Sequence, residues 1–208
     1  MVFAATATAH AQIGRRTNAA SSEPGYWVGL SLGYADGFTT SDEATGSTWQ
    51  LGYTSQLRAT LEKTVQRGVT VGVAAGFSNA PLTYSAGRSF DPNCPGSCQA
   101  HADVTQYIGF LRAGGGGTGF HYLFNLEGGA TTISNFREEI TSAKLEPTAQ
   151  SYDLTFGFGG GFGYGLSQSG EIYIGELTDF ILHSQAAGQT SQSAPRQTTF
   201  RAGFRIGF

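Results

Sequence analysis

The sequence has few charged residues and no basic patch. Lys and Arg total 12 and Asp and Glu total 15 among 208 residues, which gives a formal net charge of -3. No basic run is present that could follow a phosphate backbone, and this argues against a nucleic-acid partner. Only 6 prolines accompany 31 glycines, which argues against a long linker and favours a single domain.

Long hydrophobic runs are also missing. No segment approaches the roughly 18 consecutive apolar residues of a transmembrane helix, and the mean hydropathy is -0.16. This excludes helical membrane spans. It does not exclude spans made of β-strands, whose signal is alternation rather than a continuous run.

The first residues predict an export signal. Residues 1–11, MVFAATATAHA, form the apolar part of a truncated signal peptide that lacks the usual basic start and ends in a small-x-small pattern at Ala9 and Ala11. Residues 12–24 are expected to form a polar leader, and the domain is expected to occupy residues 25–208. A flexible tail without a targeting role is the alternative for the first segment.

From residue 25 onward, apolar residues recur at every second position, which predicts β-strands. In the stretch YDLTFGFGGGFGYGL, Phe156, Phe158 and Phe162 share one face, and Asp153 lies on the opposite face with Thr155 and a series of glycines. This period predicts eight strands, at 25–35, 47–65, 69–84, 103–113, 119–133, 151–167, 170–183 and 197–208.

The connections between these strands alternate in length. The odd-numbered connections are long, whereas the even-numbered ones are as short as QRG, GGGGT and QS. This rhythm predicts an all-β fold, an eight-stranded antiparallel up-and-down transmembrane β-barrel. A soluble barrel or sandwich also alternates, but the polar face here is mostly Gly, Ser, Thr and Ala, which suits a crowded interior better than a solvated exterior. The second and third strands exceed the roughly 9 to 11 residues that cross a bilayer, which predicts a sheet rising above the membrane as a docking edge.

The last strand ends on an aromatic residue, with its apolar face formed by Phe200, Phe204, Ile206 and Phe208. With this ending, residues 25–208 resemble the small eight-stranded outer-membrane barrel family of the OmpA and OmpX type. The resemblance implies that the barrel-assembly machinery reads the terminal aromatic pattern. It also implies a place in the outer membrane of a Gram-negative-type bacterium, in contact with lipid and lipopolysaccharide.

If the apolar face meets lipid, the strand charges point into the lumen. The segments 105–113 and 171–182 leave their register open. Arg112 and Glu176 are assigned inward because a mid-membrane charge facing lipid costs about 2–4 kcal/mol for Arg or Lys and less for Glu; Asp179 is then expected at a rim or bulge. An eight-stranded barrel is just wide enough for side chains, so the charges are expected to pair and fill it. A gated conduit, in which pairs exchange partners, is the alternative. The predicted lumen residues are Arg58, Glu62, Arg112, Glu127, Asp153, Glu176, Arg201 and Arg205.

Cys94 and Cys98, in the CPGSC motif of the second long loop, predict a disulfide, because exported chains meet an oxidising periplasm. His101 could add a third ligand to the two thiols, but three ligands on a Pro and Gly loop are a weak metal signal. No metal site is therefore predicted.

Catalysis has little support in the sequence. His183 and Ser184 are similar to the His and Ser of outer-membrane lipid A deacylases, but adjacent strand residues point to opposite faces. The glycine-rich GFGGGFGYG has no helix after it, so no dinucleotide site and no cofactor are predicted.

The expected function is an envelope structural or surface-interaction role without catalysis. A narrow channel for ions or small solutes is the alternative, and a lipid A-modifying enzyme is a remote one. The sequence does not name a ligand for the loops.

Overall fold

The computed structural model describes residues 23–42, 46–87, 91–145, 151–182 and 195–208. The predicted signal peptide and most of the leader lie outside these ranges. None of the described structure is a helix long and apolar enough to cross a membrane. The strands are β1 (Tyr26–Ala35), β2 (Thr39–Asp42), β3 (Ser47–Leu51), β4 (Thr54–Gln66), β5 (Val69–Ser85), β6 (Ser97–Ala113), β7 (Gly119–Glu138), β8 (Ser151–Ser167), β9 (Gly170–Leu182) and β10 (Arg196–Gly207).

Eight of these strands close into one barrel. Proceeding around the wall, the order is β1, β4, β5, β6, β7, β8, β9 and β10, and β10 pairs antiparallel with β1 to complete the circle. The prediction of an eight-stranded up-and-down barrel is therefore confirmed. β2 and β3 form a hairpin that extends the wall beside β5.

The strand register shows how strongly the strands tilt. A path through directly paired residues starts at Tyr26 on β1, passes once around the barrel and returns at Asp36, the residue after the end of β1. The Asp36 amide donates to the Thr198 carbonyl, so the path returns ten residues further along the chain. This stagger fixes the tilt and diameter of a closed barrel. The intermediate residues are Lys63, Val71, Leu111, Leu126, Phe158, Thr178 and Thr198.

Large apolar side chains cover the outside of the barrel. Phe156, Phe158 and Phe204 are all exposed, while the neighbouring inward positions are polar or glycine. Aromatic pairs mark both ends of this apolar band. Tyr34 stacks on Tyr53 at 5.7 Å on the side of the long loops, here called the loop side. The opposite end, with the short turns, is called the turn side. Such an exterior fits hydrocarbon, not water.

The apolar face changes sides part-way along the longer strands. On β5, the exposed apolar residues end at Phe77, and beyond it Ala80, Leu82 and Tyr84 point inward and are buried. They join an apolar core inside the part of the barrel that rises above the lipid-facing band. This part, formed by β2, β3 and the outer ends of β5, β6 and β7, is called the loop-side extension. Its core comprises Phe38, Trp49, Leu51, Ala80, Leu82, Tyr84, Ala86, Cys94, Ala100, Ala102, Val104, Ile133, Phe136, Leu145 and Ile181.

The observed strands differ from the predicted ones mainly in this extension. The predicted strand at 47–65 is interrupted at Gly52, whose amide donates to the Pro81 carbonyl while the Leu51 amide donates to Phe38. β2 lies in a predicted loop. β6 and β7 run beyond the predicted strands at 103–113 and 119–133 to include 97–102 and 134–138. These outer segments bury apolar residues inward, so a search for a lipid-facing period misses them.

Candidate functional site

Ion pairs fill the turn-side half of the lumen. The Glu62 carboxylate accepts hydrogen bonds from Arg112 Nη1 at 2.8 Å and Arg205 Nη1 at 2.9 Å. Arg205 also donates from Nε and Nη2 to the two Glu171 oxygens at 3.0 and 2.9 Å. His121 Nε2 lies 3.0 Å from Glu171 Oε2. These five residues are called the turn-side cluster, and Arg205 joins its two carboxylates.

Aromatic rings and hydroxyls surround the turn-side cluster. The Arg205 guanidinium lies 4.4 Å from the centre of the buried Trp27 ring, and Arg112 lies 4.9 Å from that of Tyr173. Thr70 donates a hydroxyl hydrogen bond to Glu62 at 2.8 Å. Both buried arginines therefore have an aromatic face as well as a carboxylate, which offsets part of their desolvation.

A second group of charges lies nearer the loop side and is called the loop-side cluster: Arg58, Glu127, Asp179 and Arg201. Arg58 binds Glu127 through two parallel hydrogen bonds of 3.1 and 2.7 Å. This bidentate geometry is the strongest form of an Arg–carboxylate pair.

Two glutamines connect Arg201 to Asp179 within this cluster. Arg201 Nη2 donates to Gln56 Oε1 at 2.8 Å, and Gln56 Nε2 donates to Gln106 Oε1 at 2.9 Å. Gln106 Nε2 then donates to Asp179 Oδ2 at 3.5 Å. The relay crosses the lumen, so the loop-side cluster links both walls of the barrel.

A cavity of about 40 Å³ lies between the two clusters, lined in part by Ser31, Arg201 and Tyr173. This volume exceeds the roughly 10–15 Å³ that one water molecule needs. The cavity therefore has room for no more than a few waters.

The structure puts seven of the eight predicted lumen residues inside the barrel, and all seven are buried. Six belong to the two clusters. Asp153 is fully buried on β8, opposite Thr131 on β7.

Glu176 corrects the sequence prediction. Its side chain is exposed on the outer face of β9, together with Ile172 and Ile174, while Glu171 and Asp179 point inward and are buried. If β9 turned its other face to the lumen, Glu171 and Asp179 would both face lipid. The observed orientation exposes one carboxylate, that of Glu176, instead of two. The predicted position of Asp179 at a rim or bulge is wrong for the same reason.

Glu176 lies within the lipid-facing band, two strands from Tyr34 of the outer aromatic girdle through the pairs Glu176–Phe200 and Phe200–Tyr34. It is six residues from Gly170 at the turn-side end of β9, which corresponds to about 20 Å of strand. With a tilt of about 35–45° this becomes about 15 Å of height. Its direct neighbours are Gly160 on β8 and Phe200 on β10, so one side of the carboxyl has no side chain beside it.

Sequence reasoning missed Glu171, His121 and the two glutamines. Glu171 and Asp179 share one parity along β9, and taking them together would have given the correct phase. The glutamines carry no charge and stood out from the polar face only by their size. The sequence analysis predicted a charged inward face, but it did not identify all of the residues that form it.

Cys94, in the loop between β5 and β6, forms a disulfide with Cys98 at the start of β6. His101 lies on β6, and no set of three His, Cys, Asp or Glu side chains in the described ranges is arranged to hold a metal. His183 and Ser184 lie outside the described residues. The terminal residues Phe200, Phe204, Ile206 and Phe208 are all exposed on the outer face, and Phe208 stacks on Tyr26 at 6.2 Å.

Comparisons with known proteins concern the fold. No family model and no curated protein sequence matches the chain. Among solved structures, the chain is similar to the outer membrane protein OprG from Pseudomonas aeruginosa, with 15% identity and a TM-score of 0.53 over 89% of this chain and 97% of that one. It is also similar to Neisserial surface protein A, with 10% identity and a TM-score of 0.44 over 88% and 97% of the two chains.

The chain has the fold of the small eight-stranded outer-membrane β-barrels. A closed strand barrel with an apolar exterior is the form in which β-structure crosses the outer membrane of Gram-negative-type bacteria, and this barrel belongs there. In outer-membrane barrels the short turns face the periplasm and the long loops face outward. The loop-side extension of this outer-membrane barrel is therefore extracellular.

Proposed function

We propose that this outer-membrane barrel has a closed lumen and serves the cell envelope through its structure or its extracellular surface, without catalysis. The observation that carries the proposal is the filling of the lumen. Arg58 pairs with Glu127 in the loop-side cluster, and in the turn-side cluster Arg112 and Arg205 share Glu62 while Arg205 also binds Glu171. Buried charges that are paired in this way resist displacement, because removing one partner leaves the other desolvated.

An ion passing through the lumen would have to separate these pairs. It would displace Arg58 from Glu127 and Arg205 from Glu62. Hydrogen bonds to charged groups contribute about 1.5–3 kcal/mol each, and several would have to open together. This favours a structural network over a conduit.

The apolar core of the loop-side extension adds a second barrier in series. Trp49 packs against Phe136 with ring centres 4.8 Å apart, and Leu82 and Ile133 are almost fully buried near them. Apolar constrictions stop ions by excluding water. An ion would therefore meet a dry segment before it reached the charges.

Planar-bilayer recording of the purified, refolded protein tests this proposal. We expect no reproducible conductance steps above those of protein-free bilayers. Heat-modifiable migration on a gel would confirm that the sample is folded. Ohmic steps of constant size, present in repeated reconstitutions, would contradict the closed lumen.

A narrow channel for ions or small solutes is the second candidate, and the arrangement of Arg205 favours it. This side chain binds Glu62 and Glu171 at once, so it could release one carboxylate and keep the other. In a channel gated in this way, Glu62→Ala would increase the conductance of a wild-type protein that already conducts. Absence of steps in both proteins would support the closed lumen.

A further inference from the structure

A groove of about 400 Å³ lies on the outer surface of the loop-side extension, where β3 ends and β4 begins. This volume is within the range of about 300–1,000 Å³ that is typical of small-ligand sites. Gly52, which has no side chain, lines the groove together with Tyr53 and Pro81.

Four uncharged polar residues form a row across the groove. Thr39 on β2 is opposite Gln50 on β3, Gln50 is opposite Thr83 on β5, and Thr83 is opposite Gln99 on β6. All four share the outward face, so neighbouring side chains in the row are about 5 Å apart. Amides and hydroxyls both donate and accept hydrogen bonds. The row therefore matches a ligand with several hydroxyl groups at regular spacing.

Tyr53 supplies an aromatic surface beside this row. Its side chain is 64% exposed, and its ring stacks on Tyr34 with an angle of 4° between the planes. The stacking holds the ring in place at the edge of the groove. Aromatic rings present a flat apolar surface, against which the C–H face of a sugar ring can pack.

The groove carries no charge in the part of the chain that the structure describes. Its lining contains no Asp, Glu, Lys, Arg or His. An anionic ligand would therefore lose hydration of its charge without gaining a counter-charge. This favours a neutral polyhydroxylated ligand over a phosphorylated or sulfated one.

The height of the groove identifies the source of such a ligand. Gln50 pairs with Thr83 on β5, and Thr83 lies six residues beyond Phe77, the last exposed apolar residue of the lipid-facing band on that strand. Six residues of a strand tilted by about 35–45° rise about 15 Å, so the polar row lies beyond the lipid-facing band. In the outer leaflet this level is occupied by the sugars of lipopolysaccharide.

We propose that this groove binds an uncharged sugar of the lipopolysaccharide core. The inference rests on the proposed function in one respect, since it gives the extracellular surface its ligand. It does not depend on whether the lumen conducts.

The test measures binding of two lipopolysaccharides to the refolded full-length protein in detergent micelles by microscale thermophoresis. One carries the complete core oligosaccharide, and the other is truncated to lipid A and its acidic inner sugars. We expect the complete form to bind at least tenfold more tightly. Tyr53→Ala should abolish this preference. Tyr107→Ala, at a tyrosine of similar exposure, 58%, on the outer face of β6, should retain it.

A competition arm separates sugar recognition from other contacts. The isolated neutral core oligosaccharide should displace the complete lipopolysaccharide, and Gln50→Leu should weaken that displacement. Equal binding of the two lipopolysaccharides, or equal losses in the two tyrosine variants, would overturn the proposal. Competition by a sulfated glycan but not by the neutral one would also overturn it. Conductance steps would contradict the closed lumen and leave this site intact.

Discussion

Replacing Glu62 with glutamine removes one negative charge from the turn-side cluster and keeps the shape of the side chain. The carboxylate is fully buried and holds Arg112 and Arg205, and Thr60 and Thr70 also donate to it. In Glu62→Gln, the NH2 group of the new amide would face at least one of these four donor groups, and two donors cannot form a hydrogen bond. Because two buried arginines lose their shared counter-charge, we expect the free energy of unfolding to fall by about 3–5 kcal/mol.

Urea titration of the protein refolded into lipid vesicles measures this change through tryptophan fluorescence. Trp27 is a suitable reporter, since it lies against Arg205. Glu139→Gln, the same substitution at an exposed residue, should change stability by less than about 0.5 kcal/mol. The double variant Glu62→Gln with Arg112→Gln should recover part of the loss, because both partners are then neutral. A loss below about 1 kcal/mol for Glu62→Gln would refute the reasoning, since the cluster would then be hydrated rather than buried.

Four further changes test other parts of the barrel. Glu176→Leu should stabilise the protein in vesicles by up to about 2 kcal/mol, because it removes a carboxyl from the lipid-facing surface; a measured destabilisation would count against that position. Gly161→Ala should destabilise it more than Gly160→Ala in the same urea titration, since a Cβ on Gly161 would meet the backbone of β9 at Ile174, whereas the nearest atom to one on Gly160 is 3.3 Å away. Leu82→Ala should cost about 2–5 kcal/mol because Leu82 is buried in the core of the extension, and an effect below about 1 kcal/mol would show that this core is loose. Deleting Phe208 should lower the amount of folded protein in cellular outer membranes while refolding into vesicles in vitro stays within about twofold of wild type, and an equal defect in both would contradict a role in assembly.

The alternation of apolar and polar residues predicted most of the fold. β8 is the clearest example, because large apolar residues and glycines occupy opposite faces, and its predicted and observed bounds are both 151–167. The short turns predicted the up-and-down order of the strands, and the apolar face that includes Phe208 predicted the last strand of the barrel. β9 was harder, since Glu176 and Asp179 differ in parity and one of them must face lipid. The parity shared by Glu171 and Asp179 favours the observed phase, and the pairing of Glu171 with Arg205 from β10 is consistent with it.

Only some residues of the turn-side and loop-side clusters could be predicted from the sequence. Parity alone sent Arg58 and Glu127 inward, because they lie on strands with an unambiguous apolar face, whereas Arg112 was placed inward by the cost of a charge that faces lipid. It could not tell which residues would touch, since contact across the lumen depends on the ten-residue stagger of the barrel. Arg58 and Glu127, for example, are 69 positions apart in sequence. The pairing is a property of the closed barrel rather than of any one strand.

A single rule explains both what alternation predicted and what it missed. Within the membrane, apolar residues such as Val73 and Phe77 point outward because the surroundings are hydrocarbon. Beyond the membrane the surroundings are water, so the same strand turns Leu82 and Tyr84 inward. The register of β5 continues without a shift through this change; only the apolar parity switches. The switch between Phe77 and Ala80 therefore marks the outer boundary of the lipid-facing band, and it can be read directly from the stretch FSNAPLTY.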